Sequence, residues 1–235
     1  MITIIRADER YHKDLDWLKS RMSFSFGDFY EEENSSFGCL RVFNNDTISG
    51  HRGFGAHPHR EMEIVSVVLS GQLKHEDSTG HSAVTGFGGV QRMSAGTGII
   101  HSEVNPGDEP CELLQLWFTP ERPGLPPSYE TSAYDPAQLR GQLLPIVSGQ
   151  EGRQGEGVAH IHQDLTIYMG DLEAGQTLDY RTTAGRRIHL FVITGTVALG
   201  QEGELAERDA ARIQDVPELT LRSAEGARVL LIDMP

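Results

Sequence analysis

The chain has 235 residues, of which 38% are hydrophobic and 23% charged, and a formal net charge of −14. That length holds one large β domain or two ordinary ones, each able to bury a real core. The acidity argues against direct nucleic-acid binding, which draws its affinity from Lys and Arg on phosphates. Charge also enters by Arg6, and no apolar run approaches membrane-spanning length, so no signal peptide and no membrane span are expected.

In chain order, Ile2–Ile5 is a short β-prone run, and residues 10–20 form a polar stretch around Leu15, Trp17 and Leu18 that is expected to make a helical turn or two. Phe24-Ser25-Phe26 and Phe29-Tyr30 read as an inward-folding aromatic loop. Short β-rich segments then recur at 40–43, 63–69, 72–76, 89–93 and 112–118. Turn residues separate them, among them Asn44-Asn45-Asp46, Ser70-Gly71, Ser78-Thr79-Gly80 and Pro106-Gly107-Asp108. Residues 119–141 carry Pro120, Pro123, Pro126, Pro127 and Pro136. Proline donates nothing to a ladder, so this segment reads as a connector, with domains expected at 1–133 and 134–235. The β pattern resumes at 160–167, 187–193, 196–199, 218–221 and 228–232, and the class is all-β.

The halves echo each other. Val67-Val68-Leu69-Ser70-Gly71-Gln72-Leu73 parallels Phe191-Val192-Ile193-Thr194-Gly195-Thr196-Val197. Aligning the two glycines sets Arg181 opposite His57, Thr183 opposite His59 and Arg187 opposite Glu63, and no histidine follows His189. The pattern predicts a duplicated β-barrel in which only the first copy keeps a metal.

The chemistry gathers at His57-Pro58-His59-Arg60-Glu61-Met62-Glu63 and at Gly98-Ile99-Ile100-His101-Ser102-Glu103. Residues i and i+2 of a strand share a face, so His57 pairs with His59 and His101 with Glu103. Two such pairs on facing strands make a four-ligand nest for a borderline divalent metal, and an octahedral ion would keep two open positions for chemistry. A single histidine reads equally well as a surface or core residue; two i, i+2 pairs do not. Strand parity leaves the carboxylate open, because Glu61 and Glu63 share the phase of the histidines. His160 and His162 mimic such a pair but lack a third ligand, and read as structural. Cys39 and Cys111 form no CxxC, which fits a reducing, cytoplasmic setting, and Cys111 reads as a buried thiol.

His-x-His, three residues, Glu, then a strand and Gly is similar to the first cupin motif, and Gly98-x-x-His101-x-x-x-Asn105 to the second. The fuller strings, with Phe24-Ser25-Phe26, Leu40-Arg41-Val42, Met93-Ser94-Ala95-Gly96-Thr97-Gly98, Gln115-Leu116-Trp117 and His162-Gln163-Asp164, resemble the pirin branch of the cupins nearly end to end. Arg21-Met22 departs from the Trp-His that relatives often carry there. The resemblance implies a bicupin of two jelly-roll-like β-sandwich barrels in tandem, with one divalent metal in the N-terminal barrel. It makes His57, His59, His101 and Glu103 the ligands and moves Glu63 away from the metal. Iron is the foremost candidate, with Ni, Cu, Mn, Co or Zn as alternatives. The implied activity is quercetin 2,3-dioxygenase, acting on a flavonol or related phenol with O2 and releasing carbon monoxide. In it, Glu103 takes the substrate proton, and Phe24, Phe26, Met93 and Trp117 are candidate walls. The alternative it implies is a metal- or redox-sensing regulator working through a protein partner. A monomer is expected.

Overall fold

A computed structural model describes residues 1–235. The strands are, in order, β1 Ile2–Ile5, β2 Tyr11–Leu15, β3 Leu18–Met22, β4 Leu40–Ile48, β5 Gly53–His59, β6 Glu63–Ser70, β7 Gln72–Asp77, β8 Ser82–Gly86, β9 Gly89–Ser94, β10 Ile99–Val104, β11 Cys111–Phe118 and β12 Ser128–Ala133. They continue as β13 Leu143–Ser148, β14 Ala159–His160, β15 Thr166–Leu172, β16 Thr177–Arg181, β17 Arg187–Gly195, β18 Val197–Leu199, β19 Glu204–Leu205, β20 Ala210–Gln214, β21 Glu218–Arg222 and β22 Ala227–Met234. One 3-10 turn, Pro136–Leu139, is capped by the Asp135 side chain. No helix is long and apolar enough to cross a membrane.

Two compact units emerge, Tyr11–Tyr134 with Glu156–Gln163, and Met1–Arg10 with Asp135–Gly155 and Asp164–Pro235. The N-terminal unit pairs a sheet of order β12-β9-β6-β11-β4-β3-β2 with one of order β5-β10-β7-β8. The C-terminal unit repeats the scheme, with β20-β17-β22-β15-β13 in the larger sheet and β16-β21-β18-β19 in the smaller. β1 pairs with β20 as β12 pairs with β9. Each unit therefore fills the same edge position from a different part of the chain, which is why residues 1–10 fold with the C-terminal unit. β6, β11 and β22 are each flanked on both sides, and their nearly continuous apolar runs reflect burial on both faces; β21 alternates exposed and buried as a one-sided strand does.

Three sequence expectations are corrected. The polar stretch at 10–20 is not helical: Tyr11 to Leu15 runs antiparallel to Leu18 to Met22, and β3 alternates buried and exposed with period two. Asn44-Asn45-Asp46 is no turn. It lies inside β4, between β3 and β11, and Asn45 Nδ2 donates to Glu112 Oε1 at 3.1 Å. Ladder bonds on both sides outweigh the local turn preference of these residues. The proline-rich connector also contains β12, a proline-free edge strand.

The C-terminal interior is filled by an apolar cluster that includes Leu190, Val197, Leu199, Leu219 and Leu221, with Leu178 and Tyr180 packed against it. Leu219 and Leu221 point inward from β21, the counterpart of β10, so the second copy carries apolar side chains where the first carries His101 and Glu103.

Candidate metal centre

Inward-facing positions in the N-terminal unit form layers. Leu113 of β11, Val68 of β6 and Leu73 of β7 lie in one apolar cluster; Trp117 of β11, Ile64 of β6 and Ile99 of β10 lie in another. Two residues from each of these, on the same faces by strand parity, come Gln115, Ser66, His75 and His101, a polar layer between two apolar ones. Burying such groups is costly unless each finds a partner.

His101 sits directly opposite His57 in the β10–β5 register, with His59 opposite Ile99. His57, His59 and His101 form the single cluster of three or more potential ligands, and their ligand atoms all lie within 4.8 Å of one another. His57 Nδ1 lies 2.7 Å from the Gly55 carbonyl, which only accepts, so Nδ1 carries the proton and Nε2 offers a lone pair. That lone pair faces His101 Nε2 at 3.1 Å, while His101 Nδ1 faces His75 Nδ1 at 3.3 Å. His75 Nε2 in turn lies 2.9 Å from the Asp77 carboxylate, so it is the donor and its Nδ1 is an acceptor. A neutral His101 thus has one proton and an acceptor on each side. Protonating it twice is disfavoured: burial first, then the nearby His57 and His75, push its pKa down to about 3. Burial, with His101 and His57, likewise lowers His59 to about 4. His59 Nε2 is buried without a hydrogen-bond partner. Convergent imidazole nitrogens, with a single His101 proton between His57 and His75 and no partner at His59 Nε2, fit a divalent cation.

A β-bulge between His101 and Glu103 shifts the register with β5, so Glu103 stands opposite Phe54. Its Oε1 accepts from Ser66 Oγ at 2.9 Å and its Oε2 from Gln115 Nε2 at 2.8 Å. The carboxylate is not within the 4.8 Å imidazole group. Glu63 lies opposite Ser94 at the start of β6; its Oε2 accepts from Ser94 Oγ at 2.9 Å and from the His162 amide at 3.1 Å. Burial raises its pKa. Glu61 adopts a left-handed backbone, φ 50°, and its carboxylate accepts from the Gly124 amide. The His160 and His162 rings meet edge to face at 4.9 Å without joining a three-ligand group. Among the expected walls, Trp117 meets the His59 ring at 4.7 Å and Phe26 meets Trp117 at 5.2 Å. Met93 packs in the same apolar layer as Trp117, and Phe24 is buried.

Sequence reading missed Ser66, Gln115, His75, Asp77 and Tyr129. Tyr129 stacks on His75 at 3.9 Å with the rings 9° apart. The available signal was parity: His75-x-Asp77 is another same-face pair, and Ser66 and Gln115 interrupt otherwise apolar strands.

Two sandwich units of one topology, with a histidine cluster in the first alone, define a two-domain cupin. The Pirin family model matches residues 5–118, and a model for the quercetinase C-terminal cupin domain matches 146–234. The chain is 36% identical over 236 residues to quercetin 2,3-dioxygenase of Escherichia coli K12, covering 100% of this chain and 99% of that one. The crystal structure of YhhW from Escherichia coli superposes with a TM-score of 0.93 at 35% identity, covering 100% and 98% of the two chains. A structure of that bacterial pirin with nickel(II) gives 0.92 at 34%, covering 100% and 99%. This chain belongs to the pirin family.

Proposed function

We propose that the chain is a metal-dependent dioxygenase that opens the flavonol ring of quercetin-type substrates with O2 and releases carbon monoxide. The observation that carries this reading is the trio of convergent imidazoles, with His59 Nε2 left without a partner, in a chain 36% identical to a quercetin 2,3-dioxygenase. His57, His59 and His101 would hold one divalent metal, iron foremost, with Glu103 as the fourth ligand. A nickel(II) complex of a similar pirin supports a divalent ion in this family.

When bound, the metal supplies the Lewis acidity that ionises the flavonol 3-hydroxyl near neutral pH and the redox chemistry toward dioxygen. The chain's own residues do the rest. Each Glu103 oxygen accepts one hydrogen bond, from Ser66 or Gln115, and keeps lone-pair capacity for the metal and for the hydroxyl proton. Trp117, edge to face with His59, and Phe26, edge to face with Trp117, supply apolar ring surface to orient a planar ligand. The Trp117 indole N–H and the Tyr129 hydroxyl are buried without hydrogen-bond partners in the protein.

The test is metal analysis of untagged protein followed by quercetin turnover, with oxygen uptake and carbon monoxide both recorded. Saturable turnover with one metal per chain supports the enzyme. Stoichiometric metal with no oxygen uptake would overturn the dioxygenase reading and leave the metal- or redox-sensing regulator that acts through a protein partner.

A further inference from the structure

Beyond the ligands, a buried chain of polar groups runs from Asp77 through His75 to His101. His75 is 2% exposed and its Nε2 lies 2.9 Å from Asp77 Oδ2. The Asp77 carboxylate is wholly buried. Its other oxygen accepts from the Thr79 amide at 2.8 Å, the Thr79 hydroxyl at 2.5 Å and the His81 amide at 3.3 Å, so the β7–β8 hairpin is wrapped around it. Tyr129 stacks on the His75 ring and holds its plane. Burying an ionised carboxylate costs free energy, which these four hydrogen bonds to Asp77 offset. The second copy of the fold dispenses with it. Gly71 and Gly195, both at positive φ, close the equivalent turns, and the residue four places after Gly195 is Leu199, buried in the apolar cluster where the first copy has His75. The polar chain is present in the unit that has the imidazole cluster and absent from the unit that lacks it.

Resting on the reading that a divalent metal binds His57, His59 and His101, we propose that Asp77 and His75 are positioning residues that fix His101 as its Nδ1–H tautomer. Asp77 makes His75 donate through Nε2; His75 Nδ1 is then an acceptor, and His101 must donate to it through Nδ1. Only the Nε2 lone pair of His101 remains, and it points toward His57 Nε2. The carboxylate at the far end also makes that nitrogen more basic, which strengthens its bond to a metal and favours a higher oxidation state.

The experiment uses the full chain and three variants, Asp77→Asn, His75→Phe and the double variant. His75→Phe keeps a ring of similar size against Tyr129. Nickel(II) affinity is measured by competition with a chromophoric chelator, the iron(III)/iron(II) potential by redox titration of iron-loaded protein, and the melting temperature on metal-free protein. The expected result is about 10–100-fold weaker nickel binding in each single variant. The double variant should be no weaker than the worse single one, because the two residues act in series, and the iron potential should rise. The metal-free melting temperature should fall by no more than about 10 °C, since each variant loses the buried His75–Asp77 hydrogen bond while the Thr79 and His81 bonds at position 77 remain. If Asp77→Asn does not fold, His75→Phe decides. Affinity and potential unchanged in the folded variants would overturn the assignment while leaving the metal site intact. A loss of affinity that only follows a drop in metal-free melting temperature, with the potential unmoved, would overturn it too. A parent protein that binds no nickel or iron would overturn the metal reading itself.

Discussion

His101 and His57 face each other across β10 and β5 with their Nε2 atoms 3.1 Å apart, and the hydrogen bond from His57 Nδ1 to the Gly55 carbonyl leaves the His57 Nε2 lone pair directed at its neighbour. Without a cation, the proton of His101 satisfies His57 or His75 but not both. Replacing His101 by Ala should therefore abolish stoichiometric metal and, with it, flavonol turnover. Metal analysis after dialysis checks the first and oxygen uptake the second; full activity in metal-free His101→Ala protein would exclude the mechanism.

Glu103 is anchored at both oxygens, so its orientation and its charge can be perturbed separately. In the proposed mechanism Glu103→Gln removes the proton acceptor and should lower turnover by about 10²–10⁴-fold. Gln115→Ala and Ser66→Ala leave the carboxylate in place but less constrained, and each should cost about tenfold or less. Steady-state kinetics on the three variants would contradict this if Glu103→Gln were the mildest.

Glu63 occupies the position a general cupin reading would give to a ligand, yet its carboxylate accepts from Ser94 and the His162 amide, with Oε1 lacking a partner. Burial raises its pKa, so the ionised form is held less favourably in the fold than in the unfolded chain. Glu63→Gln keeps an acceptor and removes the charge. Metal content should be unchanged and stability at pH 8 should rise by on the order of 1 kcal/mol. The gain should shrink as pH falls through the raised folded pKa of Glu63, where the parent carboxyl is also neutral. Loss of metal in this variant would assign Glu63 to the ion.

His189 lies in the C-terminal unit, far from the chemistry in sequence and wholly buried. Burial, reinforced by Arg212 and Arg10, holds its pKa well below 6.5. Its folded form binds fewer protons than the unfolded chain, so its contribution is fully present above about pH 6.5 and is lost as pH falls below that. Urea unfolding of metal-free protein between pH 8 and pH 5 should show a His189→Leu variant with a shallower acid slope, by up to about 1.4 kcal/mol per pH unit. Parallel slopes in parent and variant would contradict the sign argument.

Cys111 is fully buried, and burial, with Glu103 and Glu112 nearby, pushes its thiol up to about 12. The native protein should resist iodoacetamide at pH 8 at this site, and urea should expose it. Peptide mapping of alkylated protein separates Cys111 from Cys39.

Much of this molecule was legible in its residues because strand chemistry is periodic. Parity alone pairs His57 with His59 and His101 with Glu103, and the Gly71 and Gly195 turns mark the duplication. The all-β class and the pirin family follow from features local in the chain. Residues 10–20 and Asn44-Asn45-Asp46 misled for the complementary reason: their local preferences lost to ladders formed with distant strands. Which groups meet was decided by register. The β10–β7 pairing sets Glu103 opposite His75 and His101 opposite Asp77, and the bulge, with Gly55 and Ala56 of β5 against Ser102 of β10, sets His57 opposite His101 and Phe54 opposite Glu103. Parity determines the face of a strand on which a side chain lies; only the pairing of strands far apart in sequence determines what it finds there.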